Sequence, residues 1–441
     1  MRKSKTYSAI KVQSVALEES LDPWLAHHHG QTVHVGMDVS KTELQIVLRW
    51  LDRSFERPIV AKNPSQLGEV ITLLKRVSVG RQLIVALEPS GTYGDIFRQL
   101  AHDAGLTVHR VSCKATHDYA EVFDGVPSQH DGKDAAVIAE LCAYGKSTPW
   151  PVVEPSEDEE QLSLHADLVS IRRDEFTAAC NRIEALRARH WPEVEKLLAL
   201  GSATFLRILY HYGSPQALAC DPKAHGQLRL WGGSLLKDEK IVAVLESAKT
   251  TVGIRCTKTD IQRIGVYARD ALQAKARQLK SRSMLRKFGK GKRDIELMAS
   301  VVGFVTACVL HVTVGDPANY SCGKALLKAL GLNLVERSSG AHKGQLRISK
   351  RGDSQARQWL FYAALRAVQR PGISQWYRRK IERDGGKKHK ALVAIMRRLA
   401  LAIHRIVKDG TKFDSRRLFA GPRRRKRDQL VTHEPLEKRM T

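Results

Sequence analysis

Four carboxylates in the first third of the chain are the side chains best suited to chemistry. Asp38 lies in the run HVGMDVSK, Glu88 in IVALEPSGTYG, and Asp131 and Asp134 in HDGKDA. The last two are three residues apart at the start of a helical pattern, so both leave one face. Hard cations such as Mg²⁺ take carboxylate oxygens and keep waters that a phosphate can displace. The pattern predicts a magnesium-dependent centre that acts on phosphodiesters, with the metal serving the attacking and leaving oxygens.

Each of these acids also has a simpler interpretation. An acid that follows a strand is often a turn or cap residue, and acids favour the first turn of a helix, as at Asp131 and Asp134. The metal-site interpretation is favoured because all four acids occur together and in a suitable order of elements.

A serine late in the chain is the candidate nucleophile. Ser339 lies in ERSSGAHKGQLRISKRGD, and the basic residues Lys343, Arg347, Lys350 and Arg351 follow it and could hold a nucleic-acid phosphate. A nucleophilic serine needs a deprotonating partner and a stabilised developing charge. The spacing alone names no such base and favours an ordinary polar loop serine.

The elements that must position the acids follow an α/β pattern. Asp38 follows the first predicted strand and Glu88 ends the fourth. Three strands and then alternating helices and strands predict a mixed sheet with helices on both faces, and this order resembles the ribonuclease-H-like fold. Strands are predicted near 32–37, 44–49, 54–59, 82–87 and 107–111, and helices from about 63, 93 and 131.

The rest of the chain is predicted to be mostly helical. A Pro-rich linker precedes a capping box at Ser156 and Glu159, which begins a long amphipathic helix with near-heptad apolar spacing. A second long helix, at about 260–287, returns the chain. The predicted organisation is a flexible leader (1–30), the domain that holds the acids (31–150), a coiled-coil region (151–293) with a helical insertion (about 200–255), a C-terminal domain that holds the serine (294–420) and a basic tail (421–441).

The charge of the chain indicates a polyanionic partner. The 441 residues carry 73 Lys+Arg against 46 Asp+Glu, a formal net charge of +27. From residue 341 to 441 there are 28 basic and 8 acidic residues, a net charge of +20. Taken alone, the run Arg423–Arg427 could be a solvated tail, but the wider excess favours DNA or RNA.

Cysteine usage and hydropathy restrict the location of the protein. The seven cysteines are spread singly and form no CxxC pair, so neither a disulfide framework nor a zinc site is predicted. No apolar run is long enough to span a membrane, and no apolar stretch follows the basic N-terminus as in a signal peptide. We therefore expect a cytoplasmic protein without a membrane partner.

The motifs together resemble the DEDD transposases of the insertion sequence 110 type, the bridge-RNA-guided recombinases. The N-terminal match covers about residues 32–150, and the C-terminal match covers about 296–415. This chain has Val301-Val302-Gly303-Phe304 where the family often has Pro-Gly-Ile-Gly. The matching segments are GMDVSK, EPSGTYG and DGKDAAVIAE, and then VVGFVTACVLHVTVGDPANY, KALLKALGLN, RSSG, RISKRGD and KDGTKFD.

The resemblance implies a RuvC-like domain, a coiled coil and a C-terminal transposase domain. It implies that Asp38, Glu88, Asp131 and Asp134 bind Mg²⁺ and that Ser339 forms a covalent phosphoserine with DNA. The acids and the serine would together form one composite site. Its two parts would come from different protomers of a homo-oligomer, with dimers assembling into a tetramer. A noncoding guide RNA would pair with donor and target DNA. Two alternatives stay open: a RuvC-type junction nuclease that uses water, and a non-enzymatic ribonucleoprotein scaffold whose acids are structural.

Overall fold

The computed structural model describes residues 9–15, 22, 25–127, 130–339, 342–411, 413–414 and 418. The predicted basic tail at 421–441 lies outside these residues. The chain forms two compact units, Met1–Glu154 and Pro155–Thr441. In the part of the chain that the structure describes, no helix is both long enough and apolar enough to cross a membrane.

A seven-stranded mixed sheet forms the first unit, in the order β1-β4-β3-β2-β5-β6-β7. Strands β2, β3 and β4 are antiparallel neighbours, whereas β5 runs parallel to β2 and to β6. The strands are β1 (Ile10–Lys11), β2 (Thr32–Val39), β3 (Glu43–Arg49), β4 (Ile59–Lys62), β5 (Gln82–Leu87), β6 (Thr107–Val111) and β7 (Ser147–Pro149). The helices are α1 (Val12–Val15), α2 (Leu67–Ser78), α3 (Asp95–Asp103), α4 (Cys113–Asp124) and α5 (Asp131–Ala143).

Helices cover both faces of this sheet, as the sequence predicts. Alternate residues of β2, including Val33 and Val35, are fully buried in a core shared with the apolar stripes of α2 and α3. The opposite face packs against α4 and α5, where Val137 and Ile138 belong to a second core. The α5 helix is apolar over most of its circumference because it lies between the sheet and its neighbours.

Two predicted elements begin later than the sequence suggests. The third strand was predicted at 54–59, but β4 starts at Ile59, because Pro58 cannot donate a backbone hydrogen bond to a sheet. The first helix was predicted from residue 63, but α2 starts at Leu67, after a turn that contains the cis Asn63–Pro64 peptide.

Parts of the predicted leader pack against the sheet. Ile10 pairs with Ile59 of β4, and Val12 is fully buried. His28 stacks on Trp50 with ring centroids 4.1 Å apart. These segments of residues 1–30 therefore differ from the flexible leader that the sequence suggested.

Two long antiparallel helices dominate the second unit. They are α6 (Glu157–His190) and α11 (Lys258–Gly289), and each begins with a complete capping box. Residue numbers rise along α6 as the numbers of the contacted residues fall. Glu159 pairs with Lys292 at 3.4 Å. The ammonium of Lys275 lies 5.7 Å from the ring centroid of Phe176. His190 lies 3.9 Å from Asp260.

A small helical core joins the far ends of these helices. It comprises α7 (Ala203–Tyr212), α8 (Pro215–Cys220), α9 (Ala224–Gly232) and α10 (Asp238–Lys249), together with 3₁₀ turns at Pro192–Lys196 and Gly233–Leu235. Phe205, Leu228 and Ile241 are buried in it with Trp191 at the end of α6. The segment predicted as a helical insertion thus has its own apolar core.

The last part of the second unit is a helical core with one β-hairpin. Its helices are α12 (Arg293–Val302), α13 (Phe304–Val314), α14 (Gly323–Ala329), α15 (Ser354–Ala367), α16 (Pro371–Arg383) and α17 (Lys388–Asp409), with a 3₁₀ turn at Pro317–Asn319. The hairpin consists of β8 (Leu334–Ser339) and β9 (His342–Ile348). Residues 337–352 were predicted as a loop, and the hairpin corrects that prediction.

Candidate active site

The pairing of β2 with β5 brings the first two predicted acids side by side. Met37 is opposite Leu87 in this parallel pair, and the next residues are Asp38 and Glu88. Asp38 still belongs to β2 and faces Gln45 of β3 in the ladder, whereas Glu88 directly follows β5. Both side chains are half-buried. They therefore lie at the edge formed by the carboxyl ends of the two central parallel strands.

A glycine allows the acid-bearing helix to approach this edge. A Cβ atom at Gly36 would lie 1.9 Å from the carbonyl oxygen of Ala135 and 2.5 Å from the nitrogen of Ala139. Only a residue without a side chain fits there, so α5 packs directly on the backbone of β2. Asp131 and Asp134 occupy the first turn of α5, the former exposed and the latter half-buried.

The electrostatics of the acids show that all four share one neighbourhood. Burial raises the pKa of Asp38 to about 6, with further contributions from the negative charges of Asp131, Asp134 and Glu88. Burial also raises the pKa of Asp134, as do the charges of Glu88 and Asp131. The structure thus brings together the four carboxylates that the sequence singles out. Such mutual repulsion is relieved by a proton or by a cation.

The donor chemistry of this cluster fits a hard divalent cation. Carboxylate oxygens are the ligands that Mg²⁺ prefers, and Mg²⁺ commonly keeps several waters in addition to one or two carboxylates. Among the residues that the structure describes, no three His, Cys, Asp or Glu side chains converge closely enough to enclose a metal ion. The carboxylates therefore form an open anionic cluster at the sheet edge.

A buried lysine that was not predicted from the sequence fixes the start of the acid-bearing helix. Lys133 is fully buried between Asp131 and Asp134 in the chain. Its Nζ donates to Oδ1 of Asp124 at 2.6 Å and to the carbonyl oxygen of Val126 at 2.6 Å. These bonds tie α5 to the last residue of α4 and to the segment that follows it. The only signal for this role in the sequence was a lysine placed between two acids. Because lysine side chains are usually exposed, that pattern does not predict a buried anchor.

Two further side chains adjoin the acids. His130 caps α5, and its Nδ1 accepts the backbone N–H of Lys133 at 3.2 Å. Cys113 begins α4, immediately beyond β6, and burial followed by its hydrogen bond to Glu88 raises the pKa of the thiol. Neither residue was singled out from the sequence, because a lone histidine and a lone cysteine carry no recognisable spacing.

The predicted nucleophile lies in the second unit. Ser339 is the last residue of β8, its backbone pairs with His342 of β9, and the ladder is irregular between Arg337 and Ser339. The side chain of Ser339 lies outside the described part of the structure, as does that of Lys343 on β9. The β-hairpin therefore places the backbone of the serine at its tip.

The other basic residues of the serine motif continue from this hairpin. Arg347 pairs with Val335 near the base of the hairpin and is exposed. Lys350 has a φ of +56°, and its N–H donates to Gly331. Arg351 donates its N–H to Oγ of Ser349 at 3.2 Å. Arg347, Lys350 and Arg351 thus follow one exposed path that leads away from the serine.

Two family models match this chain. The model described as the transposase IS116/IS110/IS902 family matches residues 299–379, the segment that contains the β8–β9 hairpin. A model of the IS110 DEDD type, described as a transposase, matches residues 35–192, the segment that contains all four acids.

Two curated proteins are similar along most of their length. The 43.6 kDa protein of insertion element IS110 from Streptomyces coelicolor is 26% identical over 418 residues, covering 90% of this chain and 97% of the relative. The 44.8 kDa protein of insertion element IS116 from Streptomyces clavuligerus is 25% identical over 395 residues, covering 86% of this chain and 96% of the relative.

Proposed function

Because the chain belongs to the IS110-type DEDD transposases, a family of enzymes that act on DNA, we propose that it cleaves and exchanges DNA strands at the ends of an insertion sequence. The observation that carries this proposal is the shared neighbourhood of Asp38, Glu88, Asp131 and Asp134. The negative charges of this cluster add to the raised pKa values of Asp38 and Asp134. A cluster of this kind serves poorly as a structural element and well as a cation site.

The order of strands supports a RuvC-like, ribonuclease-H-like assignment for the first unit. The first three long strands are antiparallel neighbours, and the next two strands join in parallel beside the first. The acids then lie in the first strand of this pattern, directly after the fourth, and in a later helix. We assign the antiparallel pair of α6 and α11 as the coiled coil of the family.

Asp38, Glu88, Asp131 and Asp134 would hold Mg²⁺. When bound there, the cation would supply positive charge that stabilises the phosphate during the reaction. The chain itself contributes the orientation of the carboxylates. Lys133 anchors the start of α5, and Gly36 lets α5 reach β2.

Ser339 would act as the nucleophile. Its hydroxyl would release a proton as its oxygen forms a bond to the scissile phosphorus. The bond from that phosphorus to the DNA oxygen would break, and the departing oxygen would take up a proton in turn. The resulting linkage between serine and DNA is itself a phosphodiester, so the bond energy of the broken DNA phosphodiester is retained. The hydroxyl of the partner strand could then displace the serine, so that strands are exchanged without an external energy source. Lys343, Arg347, Lys350 and Arg351 would hold the phosphates.

A noncoding guide RNA would select the DNA sequences by base pairing. The strong positive charge of the chain fits contacts to nucleic-acid backbones, which carry no sequence information by themselves. Binding of an RNA encoded beside the gene, with loops complementary to donor and target, would support this part of the proposal. Equal recombination after removal of that RNA would reject it.

Trapping of a covalent adduct tests the reaction. Protein incubated with labelled DNA and Mg²⁺ should yield a denaturation-resistant complex whose modified peptide contains Ser339. Ser339→Ala should abolish both the adduct and strand exchange while leaving nucleic-acid binding intact. Ser338→Ala is the matched control and should have a milder effect. An adduct on Ser338 would move the nucleophile by one position.

Conservative amides test the acids. Asp38→Asn, Glu88→Gln, Asp131→Asn and Asp134→Asn should each lower recombination by roughly 10²-fold or more, because neutral amides bind Mg²⁺ poorly. Near-normal activity in three of these four variants would contradict the metal-site assignment. Absence of any metal-dependent cleavage by the wild type would favour a nucleic-acid-binding scaffold.

A junction nuclease that uses water is the second candidate function. It is favoured by one observation, namely that all four acids belong to the first unit, whereas Ser339 belongs to the second. Metal-dependent cleavage by Ser339→Ala, together with the absence of an adduct in the wild type, would establish this alternative.

Mixed oligomers test the composite site. If the acids and the serine act across protomers of a dimer or tetramer, co-assembly of Asp38→Asn with Ser339→Ala subunits should restore part of the activity. Each variant alone should be inactive. Failure of mixed oligomers to recover activity, despite proven co-assembly, would mean that one protomer supplies the whole site.

A further inference from the structure

Three arginine side chains lie close enough for their charges to interact where α11, α13 and α15 pack together in the second unit. Arg282 and Arg286 are one turn apart on α11, so they leave the same face. Arg366 lies on α15 and donates from Nη2 to Oγ1 of Thr306 at 3.0 Å and to the carbonyl oxygen of Val302 at 3.4 Å. Both α11 and α15 pack against α13. Arg282, Arg286 and Arg366 are called the arginine cluster below.

The arginine cluster has no acidic counterpart among the residues that the structure describes. Within the part of the chain that the structure describes, none of its three members forms an ion pair, and the charges that act on Arg282 are those of Arg366 and Arg286. The Nε atom of Arg282 is buried without a hydrogen-bond partner among those residues. Burial, and then the two neighbouring positive charges, lower the pKa of Arg282. Three like charges held together weaken a fold unless an anion joins them.

The adjacent turn adds backbone donors to these charges. Helix α13 begins at Phe304, after the exposed Gly303, whose φ of +86° lies in the region that glycine favours. No side chain caps this helix, and its first turn holds no acidic residue. Arg366 bonds to Val302 and Thr306 on either side of the turn. The first N–H groups of α13 and the positive end of its dipole therefore favour an anion beside the cluster.

We propose that the arginine cluster binds a phosphate group of a nucleic-acid backbone beside the start of α13. This inference rests on the proposed function, because the phosphate is taken to belong to the DNA or RNA on which the enzyme acts. Guanidinium groups match phosphate geometry, and two or more can share one phosphate. Arg366 is already held by the turn, so little of its freedom is lost on binding. Such contacts position a strand without reading its sequence.

Single glutamine substitutions in the full-length protein test the site. Arg286→Gln and Arg282→Gln are compared with Arg207→Gln, which removes the same charge from an exposed position on α7. Binding of a short duplex DNA and of an RNA hairpin is measured over a series of salt concentrations. Each cluster variant should lose roughly three- to tenfold in affinity at low salt, and the slope of log K against log salt should fall by about 1. Arg207→Gln should keep both values near those of the wild type.

The two nucleic acids separate the two sources of phosphate. If the cluster variants lose affinity only for the DNA duplex, the site binds the DNA backbone. If they lose affinity only for the RNA hairpin, the site binds RNA. If the wild type binds and the cluster variants bind like Arg207→Gln, the inference is overturned. If the wild type binds neither nucleic acid, the proposed function fails instead.

Thermal unfolding separates ligand binding from a structural role. Without nucleic acid, Arg286→Gln should keep or raise the melting temperature, because one of three repelling charges is removed. With duplex DNA present, the rise in melting temperature should be smaller for Arg286→Gln than for the wild type. A lower melting temperature without ligand and an undiminished rise with DNA would show that the arginines are structural, which would overturn the proposal.

Discussion

At the scale of single residues, Asp38 combines catalytic suitability with a cost to stability. Its pKa of about 6 lies above its ordinary value of 3.8. The ionised carboxylate is therefore disfavoured in the folded state. This penalty is absent below about pH 3.8 and is complete above about pH 6. A cation at the site would remove it, so the acids should be more costly to the fold when metal is absent.

Asp38→Asn should therefore stabilise the metal-free protein near neutral pH. In the presence of a chelator we expect a gain of about 1–2 kcal/mol in the free energy of unfolding, which shrinks as the pH falls from 6 towards 4. Chemical denaturation at several pH values measures this. Glu121→Gln, at an exposed position on α4, is the control and should change stability by less than about 0.5 kcal/mol. A pH-independent gain would refute the penalty on the ionised carboxylate, from burial and from the neighbouring charges, as its cause.

Lys133 should matter to the fold as well as to the acids. Lys133→Met removes an ammonium that bonds to Asp124 and to the carbonyl of Val126. Loss of one partner of a buried pair costs about 3–5 kcal/mol. The side chain of Asp124 keeps 22% of its surface exposed, so we expect a loss near the lower end of this range. Denaturant unfolding measures the loss. The double variant with Asp124→Asn should lose less than the two single losses added together, and simple additivity would show that the pair is not coupled.

At the scale of elements, the approach of α5 to β2 depends on one missing side chain. Gly36→Ala would place a Cβ atom against backbone atoms of Ala135 and Ala139, which cannot rotate away. We expect a loss of about 2–4 kcal/mol in the free energy of unfolding and a strong loss of activity. Gly68→Ala is the matched control, because nothing lies within 4 Å of its added Cβ in α2. That control should be neutral or stabilising by up to about 1 kcal/mol. Equal stability of the two variants would contradict the packing described.

The sequence predicted the elements that carry strong apolar patterns. The β2 and β5 strands and the α5 helix were expected near their observed bounds, because each is buried against several neighbours. The α4 helix was missed, since only Thr116 and Ala120 of it are buried and it shows no clear stripe. The β8–β9 hairpin was missed because its described side chains are largely exposed and do not alternate.

The candidate site was predictable only in part for similar reasons. Four acids at strand and helix ends could be recognised, because the order of elements brings such positions together. The contact of Cys113 with Glu88 depends on the parallel pairing of β6 with β5, and the anchor of Lys133 depends on the path of the chain after α4. Neither is encoded in local spacing. The role of Ser339 rests on family resemblance, because spacing names no base for it.

At the scale of the whole molecule, the net charge of +27 should govern affinity for nucleic acid. Release of counterions makes such binding fall steeply with salt, by roughly 10³- to 10⁵-fold between about 50 and 200 mM for 6 to 10 phosphate contacts. Removal of residues 421–441, which lie outside the described structure, should weaken binding to all sequences alike. Filter binding with unrelated duplexes measures this. Salt-independent binding, or a loss confined to one sequence, would disagree with a backbone-directed partner.

The antiparallel helices α6 and α11 have matched lengths, so one can be shortened or lengthened only together with the other. Glu159 pairs with Lys292 just beyond the end of α11, and His190 lies beside Asp260 at the other end of the pair. An insertion in one helix alone would therefore shift every later pair. Removal of seven residues from each helix would keep the apolar seams aligned. It would also draw the tip of the pair, the end near His190 and Asp260, inward by about 10 Å. The tip carries the separate core of helices α7–α10. The reach of this module can therefore be tuned by paired deletions, independently of the acids and of the serine hairpin.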